Sequence, residues 1–212
     1  MKFNVPYYQQ TSEFTCGPAC ILMVMKHFDP RLKLTRQLEF EVWRHCNMIG
    51  VKGADPFGLA VPLIDAGFEV KLITQHKTTM NAKRWKRRLI RAGFTLEESE
   101  LSMFGIQQNK LRALTRNLPV QYTRPEAQHI VGAVKAGYVP IALVHMGVIH
   151  SLNIPHWVVV TDAGDKTVTF NDPYPPKGRK GLRLPNVKFQ NILDDIETKI
   201  GMSPSVLLVR SG

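Results

Sequence analysis

The chain has 212 residues, of which 44% are hydrophobic and 21% charged, a composition that fits a soluble globular protein of one domain, residues 1–212. Its formal net charge is +11 at pH 7, which bears on partners and not on fold. No run approaches the roughly 18 apolar residues of a membrane span, and the N-terminus lacks the apolar region of a secretory signal. These features exclude an integral membrane protein and predict a cytoplasmic location.

Helical patterns dominate the chain up to residue 137. Thr35 and Thr95 are typical N-caps, and Asp55-Pro56 combines a cap with proline at the first helical position. The predicted helices cover residues 16–28, 35–47, 56–66, a basic segment from about 81, 97–103, 107–117 and 125–137.

Strand patterns dominate the remainder. The predicted strands cover residues 68–73, 138–145, 156–161, 167–171 and 205–209. This order, with helices in the first part of the chain and strands in the second, favours an α+β fold, in which N-terminal helices pack on a C-terminal antiparallel sheet.

Cys16 stands at the start of the first predicted helix, before the apolar run 21–25. A helix N-terminus carries partial positive charge, which favours the thiolate, the nucleophilic form of cysteine. A buried, unreactive thiol is the alternative interpretation. Cys20, one turn later, and Cys46 are expected in the core, and an odd number of cysteines indicates reduced thiols rather than a disulfide framework.

Two later residues supply partners for Cys16. His156 opens one predicted strand, and Asp172 follows the next. If these strands pair around the turn 163–165, His156 and Asp172 meet at the open end of the hairpin. Nucleophile, base and orienting carboxylate are then all present, which is the logic of a catalytic triad.

Alternatives exist for each partner. His145 and His150 compete with His156 as the base, and Asp172 can instead cap the turn before Pro173. Cys16 and Cys20 share a helix face and can chelate zinc with one of these histidines. No second pair has the usual zinc spacing, so neither a metal nor another cofactor is predicted.

A basic segment without acidic residues runs from 76 to 93. It is compatible with a solvated helix face or with a site for an anionic partner, such as an acidic peptide. A nucleic-acid partner is not expected, because only one tryptophan lies in it. Its cations are Lys77, Lys83, Arg84, Lys86, Arg87, Arg88 and Arg91.

The chain resembles the C39 peptidases, papain-like enzymes, and in particular their stand-alone members. The likeness rests on a glutamine six residues before Cys16-Gly17, on His156 before an apolar strand, and on Asp172-Pro173 after the next strand. It covers about residues 1–70 and 119–210, so the middle, about 76–124, is expected to be a helical basic insertion.

This resemblance implies a papain-like fold and four site residues. Cys16 would be the nucleophile, His156 the general base, Asp172 the orienting group and Gln10 the oxyanion-hole donor. Gln9 is a neighbouring rival of Gln10, and only the spacing to Cys16 separates them.

The expected function is that of a cysteine peptidase or amidohydrolase that acts on a peptide or protein through a thioester intermediate. Two alternatives remain: an acyl transferase with an amine acceptor, and a peptide-binding module of papain-like fold without turnover. Neither the substrate nor the oligomeric state is indicated by the sequence.

Overall fold

The computed structural model describes residues 2–78 and 81–212, so Met1 and two residues of the basic segment lie outside it. The predicted helices are present, and the stretches 97–103 and 107–117 form one helix. The helices are α1 (Cys16–Phe28), α2 (Arg36–Cys46), α3 (Pro56–Asp65), α4 (Ala82–Arg91), α5 (Leu96–Thr115), α6 (Ala127–Lys135), α7 (Gly147–His150) and α8 (Asn186–Asp195), which continues as a π-helical turn (Ile196–Ile200).

The strands also follow the predicted positions, with short additions. They are β1 (Asn47–Met48), β2 (Val51–Ala54), β3 (Phe68–Thr74), β4 (Val120–Tyr122), β5 (Val139–His145), β6 (Pro155–Ala163), β7 (Thr167–Asn171), β8 (Leu182–Pro185) and β9 (Ser205–Ser211). The sequence patterns predicted neither α8 nor the short strands β1, β2, β4 and β8.

The main sheet has the strand order β4-β3-β9-β5-β6-β7-β8, and β1 and β2 form a separate small hairpin. The α+β prediction is confirmed, with one correction. The sheet is neither wholly antiparallel nor wholly C-terminal, because β3 lies inside it and pairs in parallel with β4. Seven residue pairs, from Phe68–Ser211 to Thr74–Ser205, join β3 to β9, so long-range pairing brings this early strand into the sheet.

Helices cover both faces of the sheet. In β5, Ile141 and Leu143 pack into the cluster built by α1 to α5, whereas Ala142 and Val144 pack against α6 and α8. Successive side chains of a strand point to opposite faces, so a strand buried on both sides needs a continuous apolar run. The run 139–144 meets that need.

The start of α1 is set by close packing against α3. A Cβ atom on Gly17 would lie 2.8 Å from Leu59 Cδ2 and 3.3 Å from Ala54 Cβ. Glycine therefore permits the approach that places Cys16 against the sheet. A glycine after the cysteine is a packing requirement here.

The basic segment joins the main core. Trp85 and Leu89 of α4 and Ile106 of α5 belong to the same apolar cluster as α1. Helices α4 and α5 therefore pack with the leading helices, and the origin of the segment 76–124 as an insertion remains a prediction. Across the described residues, the structure has no helix that is both long and apolar enough to cross a bilayer.

Candidate active site

Cys16 is the first residue of α1 and is partly exposed. Thr15 precedes it as the N-cap, but its hydroxyl donates to the Ser12 carbonyl at 3.0 Å and does not cap the helix. The N–H groups of the first turn are thus free of a capping side chain and retain their partial positive charge. This position favours a negatively charged sulfur.

The strands β6 and β7 pair antiparallel around the turn at Gly164, as the sequence predicted. At the open end of this hairpin, His156 Nε2 donates to Asp172 Oδ1 at 2.8 Å. Both side chains are buried. Because Nε2 is bound to the carboxylate, Nδ1 is the ring nitrogen left for Cys16.

Cys16 and His156 lie side by side, and each stabilises the charged form of the other. Burial alone would raise the pKa of Cys16, but the neighbouring His156 outweighs burial and lowers that pKa. The backbone N–H groups of Trp157 and Gly17 act in the same direction. Burial likewise opposes the charged form of His156, yet Asp172 and Cys16 raise the pKa of His156 to about 9. The arrangement favours a thiolate beside an imidazolium.

Asp172 accepts three hydrogen bonds. Its Oδ1 accepts hydrogen bonds from His156 Nε2 and, at 3.0 Å, from the Tyr174 N–H. Its Oδ2 accepts a hydrogen bond from His150 Nε2 at 2.6 Å. Burial would raise the pKa of this carboxyl, but these donors, His156 first, keep it below its ordinary value. Asp172 therefore both caps the turn at Pro173 and orients a histidine, so the two sequence interpretations are compatible.

His150 reaches the site from a different element than His156. It ends α7, and its ring lies 4.9 Å from that of Tyr174, whose ring also meets His156 edge-on at 5.9 Å. In the sequence analysis His150 was a rival base or a possible zinc ligand, and its contact with Asp172 was not predicted. Its contact in the structure is with Asp172, and a four-residue helix carries no pattern that could have indicated it.

His145, the other rival, lies elsewhere. Its Nε2 contacts Asn153 Oδ1 at 3.0 Å, and its Nδ1 accepts the Gly147 N–H at 3.2 Å. These bonds fix the loop between β5 and β6.

Gln10 is buried, whereas Gln9 is exposed. The Gln10 backbone N–H donates to the Pro173 carbonyl at 3.0 Å, which places this loop beside Asp172. One side-chain N–H donates to the Ser12 carbonyl at 2.8 Å, and Oε1 has no partner among the described residues. The second N–H of the amide is therefore free to donate to another group.

Glu39 of α2 holds the loop that carries Gln10 through hydrogen bonds to the residues on either side of it. This buried carboxylate accepts the Tyr8 hydroxyl at 3.0 Å, the Thr11 N–H at 2.9 Å and the Thr11 hydroxyl at 2.6 Å. It thus fixes the chain on both sides of Gln10. Sequence reasoning missed Glu39, although its helical spacing to Val42 and Cys46, on the buried face of α2, was a usable signal.

The other two cysteines lie in the core. Cys20 and Cys46 are fully buried, and burial raises the pKa of each thiol well above its ordinary value. Neither is therefore a thiolate near neutral pH. In the chain as far as the structure describes it, no three His, Cys, Asp or Glu side chains are grouped to hold a metal ion.

Known structures that resemble this chain include two peptidase domains of transporters and an avirulence protein. They include the peptidase domain of Streptococcus ComA, a bifunctional ABC transporter (TM-score 0.48, 14% identity, 97% of each chain covered). A double-glycine motif protease from an AMS/PCAT transporter, solved with its leader peptide, has a TM-score of 0.48 and 14% identity over 100% of this chain and 94% of its own. The Pseudomonas avirulence protein AvrPphB has a TM-score of 0.30 and 6% identity over 98% and 97%.

No curated protein matches the chain. The family described as Peptidase_C39 like matches residues 5–189, a span that holds all of Gln10, Cys16, His156 and Asp172 and runs through the basic segment. The chain belongs to this Peptidase_C39-like family.

Proposed function

We propose that the protein is a cysteine peptidase that cleaves a peptide bond through a thioester on Cys16. One observation carries the proposal: Cys16 stands at a helix N-terminus beside His156, and a ring nitrogen of His156 is bound to Asp172 at 2.8 Å. A lowered thiol pKa beside an imidazolium is what nucleophilic catalysis by cysteine requires.

In the first step, the Cys16 thiolate attacks the carbonyl carbon, a C–S bond forms, and the carbonyl electron pair moves to oxygen. The donors to this oxyanion would be the second N–H of the Gln10 amide, which is not used by Ser12, and the backbone N–H of Cys16 at the helix start.

In the second step, the His156 imidazolium gives its proton to the leaving nitrogen, and the C–N bond breaks to leave a thioester. His156, now neutral, takes a proton from water, which attacks the thioester carbon. The C–S bond breaks, the carboxylic acid leaves, and the proton returns the pair to thiolate and imidazolium. Asp172 keeps the ring oriented throughout.

Labelling and turnover together test this proposal. A thiol-reactive probe should label Cys16, and a quenched-fluorescent peptide library should contain substrates that the protein cleaves. Cys16→Ala should remove both signals, with a loss of turnover of at least about a thousandfold. Cys20→Ala, in the same helix, is the matched control and should keep both.

Two results would contradict the proposal. Turnover that survives Cys16→Ala would assign the chemistry to another residue. Labelling of Cys16 without cleavage of any library peptide would favour the binding module without turnover.

A further inference from the structure

Four arginines of α4 line one side of a cleft of about 580 Å³. They recur at helical spacing and so share one face of the helix, and Lys199 and Asn153 complete the wall. We call it the arginine cleft. Its arginines are Arg84, Arg87, Arg88 and Arg91.

Two of these arginines have a structural role. Arg84 donates to the Thr198 carbonyl, and Arg88 donates to the carbonyls of Lys199, at 3.3 Å, and Asn153. The carbonyls of residues 198 and 199 lie in the π-helical turn, whose C-terminal end attracts cations. These contacts explain why α4 lies there.

Arg87 and Arg91 have no such role. Arg87 donates only weakly, to the Lys83 carbonyl at 3.4 Å, and both side chains are exposed. Over residues 2–78 and 81–212, none of the four guanidinium groups forms an ion pair with an acid. Burial first, and then the charge of the neighbouring Arg84, lower the pKa of Arg88.

The loop between β5 and β6 links one wall of the arginine cleft to the candidate active site. Asn153, on the cleft wall, lies three residues before His156, which limits the distance between their Cα atoms to about 11 Å. The same loop begins with α7, whose His150 contacts Asp172. An extended peptide covers that distance with about three or four residues.

We propose that the arginine cleft binds an acidic segment of the peptide substrate, about three or four residues from the bond that is cut. The proposal rests on the proposed function and names its substrate class. Guanidinium groups pair with carboxylates through two parallel hydrogen bonds, and four of them face one cleft. Single-stranded nucleic acid is a poorer fit, because Trp85, the aromatic residue of α4, is buried and offers no stacking surface.

A binding experiment tests the cleft without turnover. The Cys16→Ala protein is titrated with fluorescein-labelled hexaglutamate and hexaglutamine peptides at low salt. We expect hexaglutamate to bind more tightly, and Arg87→Gln with Arg91→Gln to weaken it about fivefold to tenfold. These two arginines are chosen because Arg84 and Arg88 also hold the π-helical turn.

The matched control changes Lys83 and Lys86 to glutamine. These two substitutions also remove two positive charges from α4, but at positions outside the arginine cleft. The affinity for hexaglutamate should therefore change by less than about twofold. Equal weakening by both double variants would reduce the effect to net charge and overturn a defined site. Equal affinity for both peptides would overturn acid recognition altogether.

A turnover experiment separates this inference from the proposed function. Substrates with a four-glutamate block on either side of the cleaved bond are compared with glutamine versions, in wild type and both double variants. The Arg87 and Arg91 changes should raise KM for one glutamate substrate only and leave Cys16 labelling unchanged. If neutral substrates are cut as well as acidic ones, the inference fails and the peptidase stands. If hexaglutamate binds but nothing is cut, the peptidase fails and the cleft stands.

Discussion

At the scale of single residues, Asp172 is central to the candidate site because its carboxylate binds two histidines at once. His156 and His150 approach opposite carboxylate oxygens, at 2.8 and 2.6 Å. A carboxylate fixed from both sides cannot rotate away from His156 without losing a second charge-assisted bond. We therefore regard His150 as a positioning residue that acts through Asp172.

The perturbed pKa values predict how activity depends on pH. The pKa of Cys16 is lowered and that of His156 is raised to about 9, so the thiolate–imidazolium pair exists between these values. Activity should fall as pH rises through about 9, because His156 then loses the proton needed by the leaving amine. At lower pH, activity should persist below about 8.5, the ordinary thiol pKa, because the lowered pKa of Cys16 keeps the sulfur ionised there.

Alkylation of Cys16 by iodoacetamide, followed by mass spectrometry across this pH range, measures the acid limb. His156→Gln should shift the alkylation midpoint upward, to or above about 8.5, because the imidazolium is lost. Buried Cys46 is the internal reference. If the midpoint of Cys16 is the same in wild type and variant, His156 does not stabilise the thiolate.

At the scale of elements, the loop that carries Gln10 is held by a helix that contributes nothing else to the site. Glu39 of α2 binds Tyr8 and Thr11, on either side of Gln10, and the Gln10 N–H binds the Pro173 carbonyl. The loop is thus tied both to the helical layer and to the end of β7. These ties, together with the bond from its side chain to the Ser12 carbonyl, hold Gln10, the proposed oxyanion donor, in place.

Glu39→Gln is predicted to lower kcat about tenfold with little change in KM. The amide that replaces the carboxylate brings a donor against the Tyr8 and Thr11 donors, so the loop shifts, and the protein loses about 1–3 kcal/mol of stability. Iodoacetamide labelling of Cys16, which needs no oxyanion donor, should be unchanged.

Glu41→Gln, on the exposed face of α2, is the control for this experiment and should match wild type. A parallel fall of turnover and labelling in Glu39→Gln would indicate a general loss of structure instead of a displaced Gln10.

At the scale of the whole molecule, helix α4 of the basic segment packs in the same apolar cluster as the leading helices, so we expect them to unfold together. Trp85 is 3% exposed and packs in the same cluster as α1, whereas its Nε1 has no partner among the described residues. A separate lid would not share this core.

Trp85→Ala is predicted to lower the free energy of global unfolding by about 3–5 kcal/mol in one transition. Trp85→Phe should cost much less, because it keeps an aromatic ring and removes an unpaired N–H. Urea unfolding followed by circular dichroism, with hydrogen exchange at α1, measures both. Early exchange of α4 alone, with α1 fully protected, would show that the segment unfolds independently.

The sequence by itself determined features that depend on neighbours along the chain. Thr35, Asp55, Asn81 and Thr95 cap their helices by bonds to residues two or three positions away. The hairpin of β6 and β7 was predictable for the same reason, since a short turn fixes which residues face each other. That proximity was enough to place His156 beside Asp172.

Only the tertiary structure decided contacts between distant parts of the chain. Glu39 and Thr11 are 28 positions apart, His150 and Asp172 are 22 apart, and Arg88 and Asn153 are 65 apart. No local hydrogen bond or turn specifies these pairs. They follow from the packing of α2, α4 and α7 around one sheet, and packing is decided by the complementarity of whole surfaces. The sequence therefore predicted the residues to which we assign the chemistry, and the fold decided which other residues hold them in place.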